Sequence, residues 1–318
     1  MRRVVVLLLA AALVLPATPA AAEPAKLTWT VQPATAAGPD GRRWVERTLD
    51  PGQVVTEHLA VRNFSDTSAE FRLTAADGYL TDKGRFNMLP SDSPSADGGT
   101  WIEVRDTVTV GAGQTAVVPF TITVPEDATP GDHPAGIAAS VAGRQGTVQV
   151  ESRVGFRVLL RASGEVRPAL ALRGVSAAFE RSWNPFVPGA LTVSHQAANT
   201  GNVRLDVAGQ VSASELFGLL SAERPEQPAE LLPGGDAAAT TRIDGVWGLG
   251  PIRTTVQLSS AAAASATVTT WVVPWPQLLL LVAAALLGPA LRARSRHRRR
   301  RLEALLDQAR REGARSAA

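Results

Sequence analysis

From Glu23 to about Thr270, short runs of Val, Thr, Leu and Phe alternate with clusters of Pro, Gly, Asn and Asp. That rhythm marks half-buried strands separated by turns. It predicts strands at Leu27–Val31, Val54–Arg62, Ala69–Ala75, Thr107–Val110, Thr115–Val124 and Ala135–Ala142. Further strands follow at Thr147–Arg161, Ala169–Ala178, Ala190–Asn199, Val203–Val211, Ala238–Asp244 and Ile252–Leu258. Ser214–Glu223 alone reads as a short helix. Many short strands with frequent turn signals predict β-sandwiches.

The pattern runs twice. Asp50-Pro51-Gly52 feeds a strand that ends at Asn63-Phe64-Ser65, and Val187-Pro188-Gly189 feeds one that ends at Asn199-Thr200-Gly201-Asn202. Each block then repeats a Gly-containing turn, a strand and a second Pro/Gly turn. The expected fold is all-β: two Ig-like β-sandwich domains, 25–163 and 166–262, followed by one transmembrane α-helix. Arg161–Arg167 is the boundary, and the small residues of 263–270 read as a stalk.

The pattern changes at both ends. Arg2 and Arg3, the apolar run Val4–Leu15 and Ala20-Ala21-Ala22 before Glu23 predict a signal peptide over 1–22. Residues 271–291 carry no charge, and about 20 residues at ~1.5 Å each cross a ~30 Å hydrocarbon layer. Trp271 and Trp275 stand at one edge, where indoles favour the interface. Arg292, Arg294, Arg296, Arg298, Arg299, Arg300 and Arg301 follow the other. By the positive-inside rule, 292–318 is a basic cytoplasmic tail of a single-pass protein of the cell membrane, with both sandwiches extracellular. Leu302, Leu305, Leu306 and Ala309 fit either an amphipathic turn on anionic lipid or a solvated tail.

Charge confirms where the basic residues lie. Between Glu23 and Ala290 there are 20 Lys and Arg against 26 Asp and Glu, whereas from Leu291 there are 10 Arg against 3 acids. A nucleic-acid partner is therefore not expected, since the body lacks a basic footprint. Cysteine is absent, which excludes thiol catalysis and Cys-ligated zinc. His58, His133 and His195 are scattered, and no H-E-x-x-H, G-x-S-x-G or P-loop motif occurs. No catalytic residue, metal or cofactor is expected, and the protein reads as a non-enzyme.

The segment Asp77–Trp101 is the most informative loop. Tyr79, Asp82, Phe86 and Trp101 are its candidate ligand-binding residues: aromatic faces stack on sugar rings while carboxylates take hydroxyl hydrogen bonds. Calcium on its aspartates is a second reading, without the D-x-[DN]-x-[DN]-G spacing. Turn-making and core-filling is the third. Trp183-Asn184-Pro185-Phe186 reads as a packed turn, with an exposed anchor for a protein partner as the alternative.

Leu49-Asp50-Pro51-Gly52, Val61-Arg62-Asn63-Phe64-Ser65, Phe71-Arg72-Leu73, Ala76-Asp77-Gly78, Gly84-Arg85-Phe86, Trp101 and the run Pro125–His133 stand in an order that resembles the WxL-interacting protein family. The likeness covers roughly 27–142, the family's N-terminal peptidoglycan-binding Ig-like domain. The Ala- and Arg-rich composition resembles an actinobacterial, membrane-anchored version. The resemblance implies peptidoglycan as a partner of the first domain and a secreted surface protein as a partner of the second. The lipid bilayer is the third partner. The alternative function is a surface assembly or scaffold factor that binds secreted proteins by strand addition, without glycan binding.

Overall fold

The computed structural model describes residues 27–145 and 148–316. The expected signal peptide, 1–22, lies outside them. The first sandwich holds β1 (Trp29–Thr35), β2 (Gly38–Pro39), β3 (Val45–Leu49), β4 (Val54–Asn63), β5 (Ala69–Leu80), β6 (Phe86–Met88), β7 (Ile102–Val104), β8 (Thr107–Val110), β9 (Thr115–Thr123), β10 (Gly131–Gln145) and β11 (Val148–Ala162). One sheet runs β2-β1-β4-β9-β7 and the other β3-β11-β10-β5-β6, with β8 also on β5. Alternation along the strands aims Leu59, Phe71, Phe120, Ile122, Ile137 and Leu160 into the core between them, each almost fully buried.

The second sandwich holds β12 (Leu170–Glu180), β13 (Gly189–Asn199), β14 (Leu205–Glu215), β15 (Leu220–Pro225), β16 (Ala229–Leu231), β17 (Asp236–Val246), β18 (Gly250–Ser259) and β19 (Ala263–Val272). Its sheets run β12-β13-β17 and β15-β14-β18-β19, with β16 also on β14. Leu191, Leu205, Leu231, Ile243 and Ile252 fill its core.

The sequence repeat has a structural counterpart in two buried asparagines. The Asn63 amide donates to the carbonyls of Thr67 (2.8 Å), Val110 (3.1 Å) and Gly111 (3.2 Å), and its oxygen accepts from Ser65 N–H (2.9 Å). Asn199 donates to Val203 O (2.7 Å) and Leu231 O (3.1 Å) and accepts from Gly201 N–H (3.0 Å). In each sandwich one amide ties the end of a strand to the turn of a distant one.

Three expectations are corrected. The stalk 263–270 is β19, paired antiparallel with β18 from Gly250↔Val272 to Ser259↔Ala263; its alternating Thr and Val suit a pleat, and a partner strand was there to receive them. The span expected at 271–291 therefore starts later: Trp271 and Val272 close β19, and the helix α1 runs from Trp275 to Ser316 without a break at the arginines. Ser214–Glu223 is the end of β14, a 3₁₀ turn and the start of β15, because β14 pairs with both β15 and β18. Among the described residues α1 is the one helix long and apolar enough to cross a membrane. Leu279, Leu281, Leu286 and Leu287 stand exposed along it.

Candidate functional site

Of the four residues expected to form a ligand site, Tyr79, Asp82 and Phe86 share one hairpin and Trp101 stands apart in the core. Trp101 is 6% exposed and belongs to the first core. Its ring lies 4.3 Å from that of His133. Tyr79 and Phe86 stand on the β5–β6 hairpin, where Asn87 Nδ2 donates to the Tyr79 hydroxyl (3.1 Å). Asp82 is at the hairpin tip. Asp77 organises the loop as a turn-maker, accepting from the N–H groups of Ala96 (2.7 Å), Asp97 (3.0 Å) and Gly99 (2.7 Å). That carboxylate is satisfied by backbone.

The run Thr129-Pro130-Gly131-Asp132-His133 is a joint. Asn202 Nδ2 donates to Pro130 O (2.7 Å) and Glu165 O (2.9 Å), and Asn202 O accepts from Asp132 N–H (2.8 Å). Asp132 takes both Arg161 (2.5 and 2.9 Å), on its own sandwich, and Arg204 N–H (2.6 Å), on the other. Arg157 reaches Glu230 across the same junction at 2.8 Å.

His133 is held between the Asp97 carboxylate at Nδ1 and Thr129 O at Nε2 (2.8 Å). Burial pulls its pKa down, but the two acceptors and the nearby Asp132 charge outweigh burial and raise it above the usual 6.5. A raised folded pKa stabilises fully below 6.5 and is lost as pH rises through the folded value. Melting curves across about pH 5 to 9 should therefore show stability falling above 6.5, and Asp97→Asn should flatten that slope. An unchanged slope in the variant would contradict the assignment.

The junction frames a cleft of about 770 Å³. One wall is β17; the other is the β15–β16 connection; the hairpin tip Thr81–Gly84 of the first sandwich closes one end. Among the described residues β17 is the outer strand of its sheet, paired only with β13. Ala237, Val207 and Leu258 line the apolar part. Glu226 crosses the floor: its N–H donates to Gly209 O (2.9 Å), Thr241 donates to its carboxylate (2.5 Å), and His195 Nε2 stands 3.3 Å away. A Cβ at position 209 would meet Glu226 Oε2 at 2.3 Å, so a larger residue there would displace that side chain from the floor. The opposite flank of the sandwich is closed, with Thr270 of β19 bonded to Ala177 O of β12 (3.2 Å).

A second concavity of about 540 Å³ lies on the outer face of the first sandwich. Arg153, Gly155 and Arg157 alternate with the core residues Phe156 and Val158, so they face outward. Trp44 and Arg43 border one side, and Arg85 and Phe86 the other. The Arg157 guanidinium lies 4.7 Å over the Phe86 ring. Among the described residues no carboxylate lines it.

No family model and no curated protein matches the chain. Among solved structures, a chain of the chaperone–tip adhesin complex of CFA/I fimbriae biogenesis aligns at 12% identity over 78% of this chain and 99% of its own, with a TM-score of 0.38. The class 5 fimbriae chaperone CfaA aligns at 12% identity over 78% of this chain and 100% of its own, with a TM-score of 0.34. A chain of the Salmonella enterica SafA pilin–SafB chaperone complex aligns at 10% identity over 79% of this chain and 99% of its own, with a TM-score of 0.34. At these scores the likenesses carry nothing about what this chain binds.

The β17 wall was not singled out by sequence reasoning. Its signal was present as five consecutive uncharged small residues, Ala237-Ala238-Ala239-Thr240-Thr241. Sequence does not show that this strand ends a sheet.

Proposed function

We propose that this chain is a non-enzymatic, membrane-anchored surface protein that takes up an extended segment of a secreted protein along β17, as an assembly or scaffold factor. The observation that carries the reading is the unguarded edge. Sheet edges usually carry Lys, Pro, a bulge or a cover. β17 is 11 residues long and carries no Lys, Pro or bulge between Ala237 and Thr241, where it borders the cleft and where the Thr241 side chain alone is bonded across, to Glu226. An incoming strand would satisfy the open backbone groups, and its alternate side chains would enter over Val207 and Leu258. α1 anchors the chain in the membrane, with the sandwiches outside and the arginines 292–301 inside. Ala239→Arg places a guanidinium in the cleft, opposite His195 in the β13–β17 register. It should reduce recovery of the secreted partner with the full-length protein by about tenfold or more. Undiminished recovery would overturn the reading.

A second reading, glycan binding by the first sandwich, is favoured by the arginine- and aromatic-lined concavity. Peptidoglycan is the glycan that the family resemblance implies. Exposed Trp44 offers a stacking face, and Arg43 and Arg85 suit carboxylates of the wall polymer. Sacculus binding by the full-length protein should fall about tenfold in Arg43→Ala/Arg85→Ala and be unaffected by Ala239→Arg. Equal binding by parent and double variant would remove this reading and leave the first intact.

A further inference from the structure

The end of the second sandwich nearest α1 exposes an unusual set of side chains. Trp183 is 95% exposed and Phe186 71%, on the loop after β12. Phe217 is 100% exposed and Leu219 84%, on the turn between β14 and β15. Trp271 and Trp275 flank the entry to α1 and are also exposed. The packed turn expected at Trp183-Asn184-Pro185-Phe186 is thus a turn whose aromatics point away from the core: Asn184 accepts from Phe186 N–H (3.0 Å) and holds it open.

Hydrogen bonds and strand register bring these segments to one level. Gln277, in the first turn of α1, donates to Pro185 O (3.4 Å), and Arg181 donates to Val273 O (3.1 Å). Glu215, 3% exposed, accepts from the N–H groups of Trp247 (2.8 Å), Gly248 (2.6 Å) and Leu249 (3.2 Å), which fixes the base of the 216–219 turn beside the start of β18. β18 begins opposite Val272, two residues before the chain leaves for the helix. Leu216 and Phe217 both take positive φ, 48° and 59°. Two consecutive non-glycine residues there are strained, and the strain displays Phe217 where it touches nothing. Across residues 181–188, 216–220 and 271–275 the only charge is Arg181.

We propose that these loops form a lipid-seating collar, with Trp183, Phe186, Phe217 and Leu219 dipping into the interfacial layer of the bilayer that α1 enters. The occupant follows from continuity: the loop after β12 is bonded to the first turn of a helix of membrane-spanning length and apolarity. Indoles and phenyl rings with few charges match the headgroup boundary. Seated this way, the second sandwich is held against the membrane. The proposal rests on the reading of α1 as the span.

The chain has no cysteine, so single cysteines can carry a fluorophore without background labelling. Full-length protein in phosphatidylcholine vesicles would be labelled at Trp183→Cys, Phe217→Cys, Val282→Cys in α1, or Asp66→Cys in the first sandwich. Lipids spin-labelled near the headgroup should quench roughly half the emission at 183 and 217 and almost none at 66. Deep spin labels should quench 282. Labels at 183 and 217 as unquenched as at 66, with 282 quenched, would overturn the collar and leave the span intact. An unquenched 282 would overturn the span itself.

Discussion

Asn63→Ala should lower the stability of the first sandwich by about 3 kcal/mol, the net loss when several buried groups lose their partner at ~1 kcal/mol or more each. The variant strips a donor from the carbonyls of Thr67, Val110 and Gly111 and an acceptor from Ser65 N–H, in a site with no exposure. Asn63→Asp should be at least as harmful at neutral pH, because a carboxylate cannot donate to three carbonyls. Asn199→Ala should do the same to the second sandwich. A total of about 5–15 kcal/mol is usual for a domain, so either change is a large share. Denaturant titration checks this, and a loss below about 1 kcal/mol would contradict the role assigned to the amide.

Gly131→Ala should open the joint between the sandwiches. Gly131 has φ 133°, and a Cβ there would lie 2.2 Å from Asn202 O. The obstacle is backbone, so the chain must move, and the Asp132 N–H bond to that same oxygen goes with it. A penalty of about 2 kcal/mol, typical of one strained site, corresponds to a roughly 30-fold larger open population. Glu165 lies in the exposed link between the sandwiches, so a glutamyl-specific protease should cut after it correspondingly faster. An unchanged cleavage rate would show that the joint does not depend on this contact.

The alternation of apolar residues made the strands legible, since each sandwich buries one face of every sheet. Strand neighbours were not legible. Nothing in Ala237–Thr241 says that it ends a sheet, and nothing in 263–270 says that β18 awaits it. Trp101 looked like a ligand platform because it follows a polar loop; its ring instead packs in the core against His133, which is more than thirty residues away in sequence. The Pro130-Gly131-Asp132 motif reads as a turn, but only Pro130 is a bend; Gly131 and Asp132 open β10, and their hydrogen bonds to a second domain are beyond local reasoning. Trp183 reads first as part of a packed turn and Phe217 as part of a short helix, since apolar residues are expected to be inside unless a bilayer or partner receives them.

Site-specific photo-cross-linking from β17 would capture a strand bound along this edge. A photoreactive side chain at Ala238, exposed on that strand, would be compared with one at Thr107, exposed on β8 of the first sandwich, in the intact membrane-anchored protein. A discrete adduct is expected from position 238 that maps to an extended, alternating segment of a secreted protein, lost in Ala239→Arg, with no such adduct from 107. No adduct at 238, or the same adducts from both positions, would contradict strand binding there.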